Sequence, residues 1–287
     1  MDYRKSNLRL FASFTAAILI LTGCGPQMQK SARICPGKKS VAESLSSLRL
    51  QSENAVPLKA DGQCLLQYYA EDRKPKKENF PVKLWVNPPV EIYMQGDVAF
   101  DPKGIVLGSN EDEFWLAVKL KGVSSYWWGQ WSERSYPERL MISPRLVLEA
   151  LGAAVVEDEE NWSLSKDRAF DVLTKQEDGI EIKKIYISTC DYLVRKIEYF
   201  GDDGKASIVM ELDKYKEISK NFFVPGVVKI VNRAGSNKGD SVQITLGFVK
   251  PANFTDKQRG RLFVRPQPQG FKNIYKIVDG NVIEQPK

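Results

Sequence analysis

From residue 58 to residue 248 the chain is written in short stretches of alternating apolar and polar positions. That period of two predicts strands with one buried face. Phe80, Val82, Leu84 and Val86 share a side, and so do Ile92, Met94, Val98 and Phe100. Phe114, Leu116, Val118 and Leu120 lie opposite Glu113, Trp115, Ala117 and Lys119. Val242, Ile244, Leu246 and Phe248 give the cleanest alternation of all. Further strands are predicted at 58–70, 105–108, 162–166, 170–174, 180–188, 193–200, 206–212 and 227–232. Turn residues separate them: the charged stretch 72–79, Pro88-Pro89, Asp101 to Gly104, and Gly201-Asp202-Asp203-Gly204.

Two places carry a helical period instead. Val41, Leu45 and Leu48 recur at helix spacing, and Ser40 with Glu43 resembles a capping box, so a short helix is predicted before Pro57. Ser143 followed by Pro144 predicts a second helix over 144–151, stopping at Gly152. After Pro251 the chain is rich in Pro, Gln and Lys, which predicts an irregular tail over 251–287. The fold class that follows is α+β, with about eleven strands in an antiparallel meander. A twisted sheet of that many strands must curl, split or close. Two helices cannot cover both of its faces. The expectation is therefore a strongly curved antiparallel sheet that wraps around the helices and leaves an apolar concavity.

The first 24 residues follow a different logic. Arg4, Lys5 and Arg9 precede an apolar run over 10–21, and Leu21-Thr22-Gly23-Cys24 comes next. The run is shorter than the roughly 20 apolar residues of a membrane span and matches the core of a secretory signal. The segment resembles the lipobox of bacterial lipoproteins, which implies cleavage before Cys24 and acylation of that cysteine. Residues 1–23 are thus read as a signal peptide. Residues 24–39, polar and carrying Pro26, Pro36 and Gly37, are read as a lipidated tether, and 40–250 as the folded domain. Two or three acyl chains on one residue anchor a protein stably. Gly25 follows the cysteine in place of aspartate, and resemblance to known sorting signals then implies the outer membrane where the host has two membranes.

Composition narrows the chemistry. Loss of Asp2, Arg4, Lys5 and Arg9 with the signal takes the formal charge from +6 to +4, mild and evenly mixed, which implies no nucleic-acid face. The chain has no histidine, the usual general base and commonest metal ligand. Cys35, Cys64 and Cys190 are far apart and show no C-x-x-C, so a zinc site is not expected. Export permits one disulfide among them; Cys35 with Cys64 is one pairing, and three free thiols is the other reading.

The order of elements resembles a known family. A lipidated start, a helix and a strand are followed by PVKLWVNPPVEIYMQGDVAF, Trp115, and the cluster YWWGQW. A Ser143-Pro144 helix comes next, then the hairpin RKIEYFGDDGKASIVMELDKY with VPGVVKIV. This resembles the LolA–LolB superfamily of lipoprotein carriers and receptors. The resemblance implies an incomplete (half-open) β-barrel with a helical lid, whose cavity accepts acyl chains, with no catalytic signature and no cofactor. It also implies an acylated ligand or lipoprotein and a soluble carrier as partners, with Cys24 placing the chain nearer the anchored type. A central stretch, about 126–162, departs from that pattern as an insertion.

Candidate ligand-lining residues are the inward set Leu84, Ile92, Met94, Phe114, Leu116 and Val118, joined by Trp128. The same set reads equally as the filled core side of a sheet. Tyr126-Trp127-Trp128-Gly129-Gln130-Trp131 reads in two ways, of which the second is favoured. It is a mouth lining or membrane-interface contact, or it is packing in which alternation sends Tyr126 and Trp128 to the core and Trp127 and Trp131 outward. The acidic runs at 111–113 and 157–160 lack the spacing of a carboxylate pair for hydrolysis or of a calcium loop. A protein-binding assembly lipoprotein with a filled interior is the alternative to an acyl binder.

Overall fold

In a computed structural model the described residues are 35–69, 74–98, 101–131, 140, 142–156, 158–233 and 239–286. Cys24, the signal segment and most of the tether lie outside them. Residues 34–287 form one compact unit with its own core. Among the described residues the fold is mostly β: fifteen strands in a single sheet and three short helices.

Two meanders meet at the middle of that sheet. The first comprises β1 (Leu58–Tyr69), β2 (Pro75–Asn87), β3 (Glu91–Val98), β4 (Asp101–Ser109), β5 (Glu113–Leu120) and β6 (Val123–Gln130). The second comprises β7 (Trp162–Asp167), β8 (Phe170–Glu177), β9 (Ile180–Ser188), β10 (Val194–Phe200), β11 (Ala206–Ser219), β12 (Phe222–Asn232) and β13 (Asp240–Pro251). Pairing of β1 with β13 joins them, Cys64 opposite Ile244. The tail then adds β14 (Asn273–Val278), parallel to β6, and β15 (Asn281–Glu284) outside it.

One face of the sheet is covered by α1 (Val41–Glu53) and α2 (Pro144–Ala150). Ser40 caps α1 in extended backbone, its hydroxyl accepting from the Glu43 N–H at 3.2 Å. The Glu43 carboxylate accepts from Lys39 N–H, one residue before the position a capping box requires. Ser143 is the N-cap of α2 and Pro144 opens it, though the Ser143 side chain makes no capping bond. Leu146, Val147, Leu148 and Ala150 bury the helix.

The sheet differs both from the strong curvature that the pattern predicts and from the half-open barrel that the resemblance implies. It is open, with β15 and β7 as unpaired edges, and is neither closed nor strongly curled. Its edges are short and carry exposed charge, Lys166 and Asp167 on β7 and Glu284 on β15, which disfavours edge-to-edge joining. The stretch 75–79, read as turn, is the start of β2, paired with β1 from Tyr69↔Pro75 to Leu65↔Asn79. Its residues are polar on both faces, so no alternation marks it.

The tail is also not irregular. It holds α3 (Asp256–Leu262), with a full capping box between Thr255 and Gln258, as well as β14 and β15. Beyond α3 the chain crosses the outer face of β5 and β6. Phe271 and Ile274 pack there on Val106, Trp115, Ala117 and Tyr126, a second small core opposite the main one. Tyr126 donates to the Pro266 carbonyl at 2.7 Å, and Arg265 binds Glu113 at 2.7 Å while lying over the Trp128 ring. Arg259 grips the nearly buried Glu91 through two bonds of 3.1 and 3.0 Å, fixing α3 to the start of β3. Both faces of β5 are buried for this reason, where a one-sided strand was expected.

Candidate functional site

The structure brings Leu84, Ile92, Met94, Phe114, Leu116 and Val118 onto one face, each at most 2% exposed. Alternation on β2, β3 and β5 puts them there, and register keeps them together, with Leu84 opposite Met94. The space they were expected to enclose is nearly filled. Met94, Leu116 and Val118 line a void of about 10 Å³ with Cys64 and Phe80. That is at the roughly 10–15 Å³ a cavity needs to admit a single water. Burial pushes the Cys64 thiol up to about 12, so it stays protonated and unreactive there. Trp128 is on the other side of the sheet, with Trp115 and Tyr126 under the tail. Trp127 and Trp131 face the main core, so the alternation within the aromatic cluster is real and its direction is the reverse of that expected.

More room lies under α1, over the second meander. A cleft of about 70 Å³ is walled by Leu45 and Leu48 of α1, Trp162 of β7, Ile185 of β9, and Val194 and Ile197 of β10. Residues 154–156, between α2 and β7, close one side, and Ala154, Val155 and Val156 also line an open groove of about 350 Å³ beside Pro88 and Pro89. Gly152 lets the chain leave α2 at φ +68°; a Cβ there would come within 2.1 Å of Gln51, whose amide holds the Phe223 carbonyl at 3.1 Å. Val155 is 71% exposed, so this wall has solvent on its far side.

Polar groups converge in the same cleft. Lys183 of β9 contacts Glu149 of α2 at 2.6 Å, with side chains only 8% and 16% exposed. The Tyr199 hydroxyl donates to the other Glu149 oxygen. The Lys183 ammonium also lies 5.9 Å from the Trp162 ring centre and 5.2 Å from that of Tyr199. The indole N–H of Trp162 is buried with no hydrogen-bond partner, at a typical cost of about 1–3 kcal/mol. An apolar cleft with a few convergent polar groups is the usual form of a small-molecule site. The cluster was legible in one respect: Lys183 alternates with Ile185 and Ile187, which puts it on the buried face.

The N-terminal end of α1 is bolted to the sheet. A disulfide joins Cys35 to Cys190, with Cα atoms 5.0 Å apart, and not to Cys64, which is a free buried thiol. Lys38 N–H donates to buried Asp171 at 2.6 Å, the Lys38 ammonium lies 4.2 Å from the Tyr192 ring centre, and the Tyr192 hydroxyl donates to the Pro36 carbonyl. Among the described residues no three His, Cys, Asp or Glu side chains are grouped to hold a metal ion, and no helix is long and apolar enough to cross a membrane.

No family model matches the sequence, and no curated protein matches it significantly. Solved structures do share its fold. A domain described as an outer membrane lipoprotein-sorting protein, from Vibrio parahaemolyticus, aligns over 77% of this chain and 95% of its own, at 13% identity and a TM-score of 0.52. A DUF1329 family protein from Desulfovibrio piger aligns over 78% of this chain and 100% of its own, at 10% identity and a TM-score of 0.50. A LolA superfamily protein from Nitrosomonas europaea aligns over 77% of this chain at 11% identity and a TM-score of 0.46. The protein thus has the fold of lipoprotein-sorting domains, as the order of its elements suggested.

Proposed function

We propose that this chain is a lipid-anchored envelope protein that handles lipids or lipoproteins, taking an acyl chain into the cleft beneath α1. The carrying observation is that cleft: apolar walls, a helix across it, and one side closed only by the thin segment 154–156. Binding draws on apolar burial, about 0.8 kcal/mol per CH₂, and needs no covalent chemistry or cofactor. The cleft holds no more than a few waters, so an acyl chain enters by displacing 154–156. Cleft and groove joined reach the several hundred Å³ of ordinary ligand sites. Leu84, Ile92, Met94, Phe114, Leu116 and Val118 support the cleft as packed core, away from the ligand.

Anchoring is through Cys24, facing the periplasm, at the outer membrane where the host has two membranes. A disulfide fits such an oxidising compartment. A soluble lipoprotein carrier is the partner this reading requires.

The nearly filled space at Met94, Leu116 and Val118 favours a second reading, an assembly lipoprotein that binds a protein partner along its surface. Native mass spectrometry of the chain from Gly25 onward, secreted without its anchor, separates the two. A retained phospholipid or acylated peptide supports the acyl reading. A clean apo mass, unchanged on adding acylated peptide, rejects it in favour of the second.

A further inference from the structure

The Glu149–Lys183–Tyr199 cluster does something an acyl slot does not need. A purely hydrocarbon ligand gains nothing from a buried ion pair, which costs desolvation of both charges. We propose that this cluster, together with Trp162, makes the cleft select uncharged, carbonyl-bearing acyl derivatives, amides foremost, over ionised amphiphiles; the inference rests on the acyl-binding reading above.

Three observations carry it. First, the ion pair sums to zero charge within 2.6 Å. An ionised headgroup entering beside the pair loses its hydration and finds no uncompensated counter-charge within it. The Lys175 ammonium, 6.0 Å from the Trp162 ring centre, is a further charge beside the indole. Second, the Trp162 indole N–H is a buried donor with no acceptor. A ligand carbonyl supplies that acceptor and turns an unpaired group into a satisfied one. Third, the Glu149 carboxylate offers about four acceptor positions, of which Lys183 and Tyr199 account for two. An amide N–H uses a third, so amide and cleft are complementary at both ends of the dipole. An ester shares the carbonyl contact alone and ranks below the amide.

The test compares two probes of equal chain length below their micellar concentrations, N-decanoylglycinamide and decanesulfonate, the second ionised at every pH. Binding to the chain from Gly25 to Lys287 is measured by calorimetry. The amide is expected to bind tighter by on the order of tenfold. Glu149→Gln leaves Lys183 as net positive charge, and the preference moves toward the sulfonate by a similar factor. Glu149→Gln/Lys183→Met restores neutrality and with it the preference for the amide. Trp162→Phe weakens the amide alone. Equal binding of both probes to the unaltered chain, or a preference that ignores Glu149→Gln, overturns this selectivity while the acyl-binding reading stands. If neither probe binds, both fall together.

Discussion

Cys35 and Cys190, 155 residues apart in sequence, are joined across the start of α1 and the turn between β9 and β10. The bond makes α1 a strap fastened at both ends. Its far end is held by Gln51 on the Phe223 carbonyl and by Ser219 on the Asn54 carbonyl. Closing so long a loop removes much conformational freedom from the unfolded chain. Replacing both cysteines by alanine is expected to cost about 2–5 kcal/mol, read as a lower denaturant midpoint with a steeper slope, since the unfolded chain expands once the loop is opened. Amide exchange in α1 should rise more than in β1 or β13. Uniform acceleration across all three would show that the bond fastens no strap.

Glu149 and Lys183 form the least exposed ion pair described, and each carries a penalty if left alone. Glu149→Gln and Lys183→Met are each expected to destabilise by about 3 kcal/mol, since each strands the other partner in the apolar cleft. The double variant should lie nearer the parent than either single one. A thermodynamic cycle from urea unfolding measures the coupling. Additive losses would mean that the two groups act independently.

Much of this architecture was open to reading from the alternation alone. Most strands of the two meanders announce themselves because one face is apolar and the other polar, as with Val242, Ile244 and Leu246; Phe248, expected with them, is 55% exposed. The hidden elements are those whose burial comes from distant chain. β6 is defined by β5 on one side and β14, nearly 150 residues later, on the other. The tail strand Asn273–Val278 has only Ile277 buried, so its sequence hardly shows a core side. The direction of the Tyr126–Trp131 cluster depended on that same cover. At the cleft, Lys183 among isoleucines was a visible oddity, but its partner Glu149 is on α2, and the sequence holds no link between them. Pairing of Cys35 with Cys190 likewise needed the turn after β9 to be placed beside the start of α1.

Tyr126 supplies a pH signature for the docked tail. Burial pushes its phenol up to about 12, with Arg265 opposing. In the unfolded chain a tyrosine titrates near 10. Between those values the folded protein keeps a proton that the unfolded chain has released, so stability is full below about pH 10 and falls toward pH 12. Tyr126→Phe should flatten part of that decline and cost about 1 kcal/mol near neutrality through the lost Pro266 bond. Unfolding free energies at several alkaline pH values, with phenolate absorbance, provide the check. An unchanged alkaline slope in the variant would assign the decline to other groups.

Trp128 and Trp162 separate surface packing from ligand contact. Trp128 is on the tail-covered face, beneath Arg265 and near Lys276, with the sheet between it and the cleft. Trp162 lines the cleft itself. Trp128→Ala is expected to loosen the tail and lower stability by about 1–3 kcal/mol, leaving acyl-probe affinity within twofold. Trp162→Ala, on an edge strand and half-buried, removes a cleft wall and should weaken the same probe on the order of tenfold at little cost in stability. Titrating both variants with one acyl amide, beside their denaturation curves, decides the matter. If Trp128→Ala were the variant that lost the ligand, the site would be on the tail-covered face, and the cleft beneath α1 would be only imperfect packing.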